Sequence, residues 1–115
     1  MSTVMESKIS PIKKLRQDLR VTQKTFCRLL PVSERLLADL EANKRTPGIT
    51  IQRELNELSR LISALKKIVD PDYLADWLST PNDAFSGLKP IEVIERGEAD
   101  RIWRMIYAIE SGQPA

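Results

Sequence analysis

The chain has no histidine and one cysteine, so the commonest reactive centres are missing. Cys27 has no base partner in the sequence, and a single cysteine forms no internal disulfide. No cluster has metal-ligand spacing, and the four glycines are scattered rather than gathered in a phosphate-binding loop. We therefore expect no enzyme activity, no metal and no cofactor.

Long apolar runs are also missing. No stretch approaches the ~18 residues needed to cross a membrane, and the start, MSTVMESKISPIKK, lacks the apolar core of a secretory signal. A chain of 115 residues that is 42% hydrophobic and 30% charged suits one globular domain or two small helical units. We expect no membrane partner and a cytoplasmic location.

Charge is divided unequally along the chain. Residues 1–50 hold ten basic and five acidic side chains, a net of +5, whereas residues 51–115 hold eight and eleven, a net of −3. A basic N-terminal half suits a polyanion, which the acidic half would repel. Small domains also acquire such asymmetry by chance.

The first half predicts three short helices. Ser10 and Pro11 begin the first, Thr22 is the candidate cap of the second, and Ser33 caps the third after a three-residue corner at Pro31. Their apolar faces are Ile12, Leu15 and Leu19; Phe26, Leu29 and Leu30; and Leu36, Leu37 and Leu40.

The second and third helices resemble the Xre/Cro class of helix-turn-helix domains. Gln23, Leu30, Val32 and Ser33 are in register with Q-x-x-x-A-x-x-L-G-V-S, and Glu41 opens the exit E-x-x-K-R-x-P. The likeness covers residues 12–47 and implies DNA binding.

Pro31 replaces the turn glycine of that pattern. Glycine adopts φ > 0, whereas proline is fixed near −65° and disfavours the α conformation of Leu30. We expect the second helix to end one residue early, which would re-aim the third helix and puts the usual docking geometry in question.

The third helix would read bases if it enters a major groove. Arg35 would then donate to guanine and Glu34 would accept from cytosine, while the basic residues around the helix would contact phosphates. The alternative is a solvated face on which Glu34 and Asp39 balance Arg35. The DNA-binding candidates are Gln23, Lys24, Ser33, Glu34, Arg35, Lys44 and Arg45.

A long helix is predicted after Gly48, with Thr50 as its candidate cap. Its apolar residues alternate at spacings of four and three, as in the a/d seam of a coiled coil, and Leu61 and Ile68 make this apolar face wider. This face packs inside the monomer or against a second copy, and a homodimer would present two reading helices to a two-fold operator. The seam is Ile51, Leu55, Leu58, Ile62, Leu65 and Val69.

Three helices follow in the second half. Asp70-Pro71-Asp72 begins the first, which ends at Trp77-Leu78. Pro90 begins the second and Gly97 stops it. The third runs from Glu98 to Ser111. Its predicted stripe is Ile102, Trp103, Ile106 and Ile109.

The corner between these helices reads WLSTPNDAFSGLKPIEVIERG, residues 77–97. Residue types alone favour a helix-loop-helix corner with Trp77 and Phe85 in the core. The order W-L-x-x-P-N-x-x-F-x-G-x-x-P, however, resembles the toxin-binding domain of the Xre/MbcA/ParS antitoxins, over residues 61–112. That family neutralises RES-type toxins, which resemble ADP-ribosyltransferases and consume NAD.

In the resembling family the last helix and tail lie close to the toxin's active-site cleft. The alternative is that Arg104 is only solvated and that Tyr107 rims the core. The partner-binding candidates are Trp77, Asn82, Phe85, Arg104, Tyr107, Ser111 and Gln113.

The sequence therefore predicts an all-α protein with a helix-turn-helix unit at 1–50, a connecting helix at 51–69 and a toxin-binding unit at 70–115. Its expected function is that of a type II antitoxin, which covers the cleft of a cognate RES-type toxin and represses its own operon at operator DNA. The alternative is a stand-alone helix-turn-helix regulator whose C-terminal half dimerises.

Overall fold

A computed structural model of the chain describes residues 10–112, which contain seven α-helices, two 3-10 helices and no strand. The predicted all-α class is confirmed. No helix within these residues is both long and apolar enough to cross a membrane. The helices are α1 (Pro11–Leu19), α2 (Gln23–Phe26), α3 (Glu34–Glu41), α4 (Ile49–Leu65), α5 (Leu74–Leu78), α6 (Pro90–Glu95) and α7 (Ala99–Glu110), with 3-10 helices at Pro71–Tyr73 and Asp83–Phe85.

The chain forms two compact units, one up to Ser59 and one from Arg60, so the boundary lies within α4. In the first unit α1 and α2 both pack on α3. The three predicted caps are present, because the hydroxyls of Ser10, Thr22 and Ser33 each accept a backbone N–H three residues on, at 3.1 Å. The core of this unit consists of Ile12, Leu15, Leu19, Phe26, Leu30, Leu37, Leu40, Leu55 and Leu58.

The prediction that α2 ends one residue early is wrong, because the helix already ends at Phe26. The backbone N–H groups of Arg28 and Leu29 donate three residues back, so the chain tightens into 3-10 turns before Pro31. Proline disfavours the α conformation of the preceding residue and has no N–H to continue the helix. The corner before α3 is therefore seven residues long, at 27–33, rather than three.

A buried ion pair joins the three short helices. Arg16 of α1 donates from Nε to Glu41 Oε2 at 2.7 Å and from Nη2 to Glu41 Oε1 at 2.9 Å. Gln23 of α2 donates to the same Oε1 at 3.1 Å, and Arg16 also donates to the Val21 carbonyl at 3.1 Å. Glu41 is 8% exposed. We call Arg16, Gln23 and Glu41 the clamp.

The clamp keeps Glu41 ionised. Burial raises the pKa of Glu41, but hydrogen bonds from Arg16 and Gln23, together with the charges of Arg16 and Lys13, outweigh burial and hold that pKa below its ordinary value. A bidentate guanidinium–carboxylate pair is geometrically specific. The clamp therefore fixes how α1, α2 and α3 are oriented within this unit.

The long helix differs from its predicted bounds at both ends. It begins at Ile49, one residue before the expected cap Thr50, and it ends at Leu65 rather than at residue 69. Lys67 and Ile68 make bonds to the third residue back, so the last turn tightens ahead of Asp70-Pro71, where proline again disfavours α backbone. Four of the six seam residues are buried within the monomer, namely Leu55, Leu58, Ile62 and Leu65.

In the second unit α6 packs on both α5 and α7. Asp70 Oδ1 accepts the Asp72 N–H at 2.9 Å, so the predicted cap is present, although a 3-10 turn precedes α5. Gly97 has φ +76 and follows α6 as predicted. The core of this unit includes Leu61, Ile62, Leu65, Leu74, Leu78, Phe85, Pro90, Ile91, Val93, Ile102 and Ile106.

We predict that Glu41→Gln lowers the free energy of unfolding of the first unit by about 1–3 kcal/mol, since a buried charge-assisted pair is lost. Urea unfolding followed by circular dichroism measures this. Glu54→Gln, on the exposed face of α4 in the same unit, is the matched control and should change little.

The loss of stability caused by Glu41→Gln should become smaller as the pH falls. Because the folded pKa of Glu41 lies below the ordinary 4.5, the clamp stabilises fully above that value and loses its contribution as the pH falls through the folded pKa. The stability difference between the wild type and Glu41→Gln should therefore shrink in acid. A difference that stays constant down to strongly acidic pH would contradict this account.

Candidate functional site

An exposed face runs along α7. Asp100, Arg104, Tyr107 and Ser111 are spaced four, three and four residues apart, which places them on one side of the helix, away from the buried Ile102 and Ile106. Arg104 Nη2 donates to Asp100 Oδ2 at 2.6 Å, and Tyr107 is 58% exposed. We call these four residues the partner face. It contains three of the predicted partner-binding residues.

An aromatic stack borders the partner face. The rings of Trp103 and Tyr107 lie 5.8 Å apart and nearly parallel, and the Arg60 guanidinium lies 5.6 Å from the centre of the Trp103 ring. Such stacking holds large side chains in place at a surface. Sequence reasoning put Trp103 in the buried stripe, but it is only half-buried, and Ile109, from the same stripe, is 49% exposed near the helix end.

The corner motif is explained by packing and loop closure within the second unit. Phe85 is 1% exposed, with the Trp77 ring edge-on at 6.4 Å and the Arg101 guanidinium 6.0 Å from its centre. Asn82 caps the 3-10 helix by accepting the Ala84 N–H at 2.9 Å. Gly87, with φ +87, donates to the Asn82 carbonyl at 3.0 Å.

These contacts give Trp77, Asn82 and Phe85 a role in shaping the corner. Direct contact of the three with a partner stays a prediction. Gln113, the remaining partner-binding candidate, lies outside the described residues.

The DNA-binding candidates surround α3. Lys24, Glu34, Arg35, Lys44 and Arg45 are exposed, as a docking surface requires. Two candidates already have internal partners, because the Gln23 amide donates to Glu41 and the Ser33 hydroxyl accepts the Leu36 N–H at 3.1 Å. Arg45 also lines a small crevice of about 200 Å³ beside Ser10 and Leu55.

Asparagine completes the end of α3. Asn43 has φ +60, its N–H donates to the Leu40 carbonyl at 3.2 Å, and the Lys44 N–H donates to the Asp39 carbonyl at 2.9 Å. This is a Schellman ending, and asparagine tolerates its left-handed backbone. It directs the chain carrying Lys44 and Arg45 away from the end of α3.

Cys27 lies half-buried in the corner before α3. Burial, followed by the charges of Glu34 and Glu41, raises the pKa of its thiol, so the thiol stays protonated at neutral pH. Among residues 10–112, no group of three or more Cys, Asp and Glu side chains is arranged to hold a metal ion.

Sequence reasoning missed Arg16, Arg60 and Arg101, which serve the clamp, the aromatic stack and the Phe85 packing. Each acts across a contact between elements distant in sequence, so no local pattern identifies it. Gln23 and Glu41 were both recognised as pattern residues, but only the fold shows that they meet.

Comparison with known proteins finds a family match for the second unit. A sequence profile of the antitoxin Xre/MbcA/ParS C-terminal toxin-binding domain matches residues 64–112, which include the whole corner and the partner face. Residues 64–112 are therefore similar to the toxin-binding domain of the Xre/MbcA/ParS antitoxins.

Relatives of the chain extend the likeness towards the N-terminus. Two proteins named mycobacterial cidal antitoxin MbcA, from Mycobacterium bovis and Mycobacterium tuberculosis, are each 25% identical to it over 96 residues, which is 84% of this chain and 85% of the relative. The fold matches a chain in the crystal structure of the M. tuberculosis MbcT–MbcA toxin–antitoxin complex, with a TM-score of 0.69 and 24% identity, over 92% of this chain and 96% of the other. At that identity the match establishes the fold.

We predict that Phe85→Ala costs about 3–5 kcal/mol of stability, because it removes a buried ring from the corner. Tryptophan fluorescence during urea unfolding reports this unit directly, since both tryptophans belong to it. Tyr107→Ala, on the exposed partner face, should cost only about 0.5–1.5 kcal/mol, because it removes the surface stack on Trp103 and leaves the core intact. Equal losses for the two variants would contradict the division between corner and partner face.

Proposed function

We propose that the chain is an antitoxin, which neutralises a RES-type, NAD-consuming toxin in the cytoplasm by covering the toxin's active-site cleft. The observation that supports this most strongly is the position of the partner face inside the range that matches a toxin-binding domain. Interfaces concentrate their binding energy in Trp, Tyr and Arg, and α7 presents all three side by side. The corner motif carries the family likeness on which the RES assignment rests.

Occlusion requires shape rather than reactive groups. Tyr107 of the partner face is stacked on Trp103, whereas Arg104 makes only an exposed ion pair with Asp100. The stacked ring of Tyr107 then has less side-chain freedom to lose on binding. The toxin's turnover should fall in proportion to the fraction bound, without a change in its substrate preference.

A growth assay tests the partner face. The protein encoded by the adjacent reading frame is expressed together with the wild-type antitoxin, with Tyr107→Ala or with Tyr73→Ala. Tyr73 is the matched control, because its side chain is 53% exposed and belongs to the 3-10 helix Pro71–Tyr73 rather than to α7. We predict that Tyr107→Ala loses about tenfold or more in toxin affinity and rescues growth poorly, while Tyr73→Ala rescues fully.

Rescue that is equal for the two tyrosine variants would remove Tyr107 from the interface. Purified wild-type antitoxin that fails to bind the adjacent protein would contradict toxin neutralisation by direct contact.

We also propose that the first unit binds operator DNA and represses the antitoxin's own operon, with a homodimer presenting two copies of α3. The exposed basic residues on both sides of α3 support phosphate contact. The clamp supports a fixed orientation of α3 on α1 and α2. The seven-residue corner before α3 implies a docking angle different from that of a domain with a glycine turn.

Arg35→Ala tests the reading role. Arg35 is exposed in the first turn of α3, and we predict about a tenfold or larger loss of affinity for a duplex covering the operon's promoter, measured by fluorescence anisotropy. Arg53→Ala, an exposed arginine of α4 in the same unit, is the control for charge alone. Toxin neutralisation by Arg35→Ala should be intact, and loss of both activities together would contradict separate roles for the two units.

The alternative function is a stand-alone regulator whose second unit only dimerises. It predicts a homodimer that shows no affinity for the adjacent protein. Analytical ultracentrifugation of the antitoxin with and without that protein separates the two functions.

A further inference from the structure

A broad groove of about 660 Å³ lies between α7 and the 3-10 helix Asp83–Phe85. This volume falls within the roughly 300–1,000 Å³ typical of binding clefts. Most of its lining surface is apolar, and two alanines leave the space open. The 3-10 helix contributes Ala84 and Phe85, and α7 contributes a stripe of Arg101, Arg104, Met105 and Ala108.

The two arginines of the groove each pair with an acidic side chain that is close in sequence. Arg101 Nη1 donates to Glu98 Oε1 at 2.9 Å, and its guanidinium rests against the Phe85 ring. Arg104 Nη2 donates to Asp100 Oδ2, and both of these side chains are largely exposed. Each of these pairs uses one of the five N–H donors of a guanidinium, so a carboxylate from a partner can be bound in addition.

The two walls of the groove differ in the polar groups that they offer. The α7 wall carries Arg101 and Arg104, each already paired with one carboxylate, whereas the opposite wall carries Asp83. A ligand carboxylate would find further N–H donors on the α7 wall and would be repelled by Asp83. The apolar floor between the two walls favours an aliphatic side chain next to that acid.

We infer that the groove receives a segment of the toxin that places an aliphatic side chain between Ala84 and Ala108 and a neighbouring carboxylate on Arg101 and Arg104. This inference rests on the proposed function, since it specifies how the toxin is held. Arg104 belongs to both the groove and the partner face, so one segment lying along α7 contacts both.

Two substitutions test the inference in the full-length antitoxin, with the purified protein of the adjacent reading frame as the probe. Ala108→Trp fills the groove and should weaken binding about tenfold or more in isothermal titration calorimetry. Arg104→Gln removes a cation and should weaken binding several-fold, with a smaller dependence on salt. Ser63→Trp, at an exposed position of α4, is the control for an added indole and should bind like the wild type.

If Ala108→Trp does not fold, Ala84→Trp carries the same test, because Ala84 is exposed on the short helix. Binding of both tryptophan variants at wild-type affinity would overturn the groove while leaving the proposed function intact. Failure of the wild type itself to bind would overturn both.

The occupant is identified by placing a photoreactive benzoylphenylalanine at position 108 and irradiating the purified mixture. A cross-link to an aliphatic residue that neighbours Asp or Glu in the toxin supports the inference. A cross-link to a second copy of the antitoxin, or to a toxin segment without an acidic residue, overturns it.

Discussion

Burial of the Phe85 ring is the contact on which the geometry of the second unit depends. The ring lies edge-on to Trp77 and against the Arg101 guanidinium, so it connects the corner to α5 on one side and to α7 on the other. Asn82 and Gly87 close the loop that carries it. The partner face and the groove both lie on α7 and therefore take their positions from this contact. A motif that looks like a binding sequence thus acts first as a scaffold for the helix beside it.

The first unit depends on a different kind of contact. A buried carboxylate, Glu41, receives hydrogen bonds from Arg16 and Gln23, so each short helix contributes one side chain to the clamp. Isolated helices of four to nine residues are marginal in water, and tertiary contacts must fix them. Burial of the apolar core stabilises these helices, and the directional ion pair also fixes their orientation. If α3 reads DNA, the clamp sets its angle.

Local patterns were sufficient to predict much of this fold. The helix caps at Ser10, Thr22, Ser33 and Asp70 each depend on a single residue, and the apolar residues of α1 and α3 recur at helical spacing. Boundaries near proline were predicted less well, because Pro31 and Pro71 convert several preceding residues to tighter turns rather than one. The surface of α7 was the least predictable part. Trp103 has the spacing of a core residue, yet Arg60 and Tyr107 hold it half-exposed, and that arrangement depends on contacts that no local pattern encodes.

The central claim is that this antitoxin silences an NAD-consuming toxin by covering its cleft. The measurement that tests it most directly is the cellular NAD level after expression of the adjacent reading frame's product, with and without the antitoxin. The account predicts that NAD collapses when the product is expressed alone and stays at its normal level when the antitoxin is present. NAD that remains normal in both cultures, or that collapses equally in both, would contradict it.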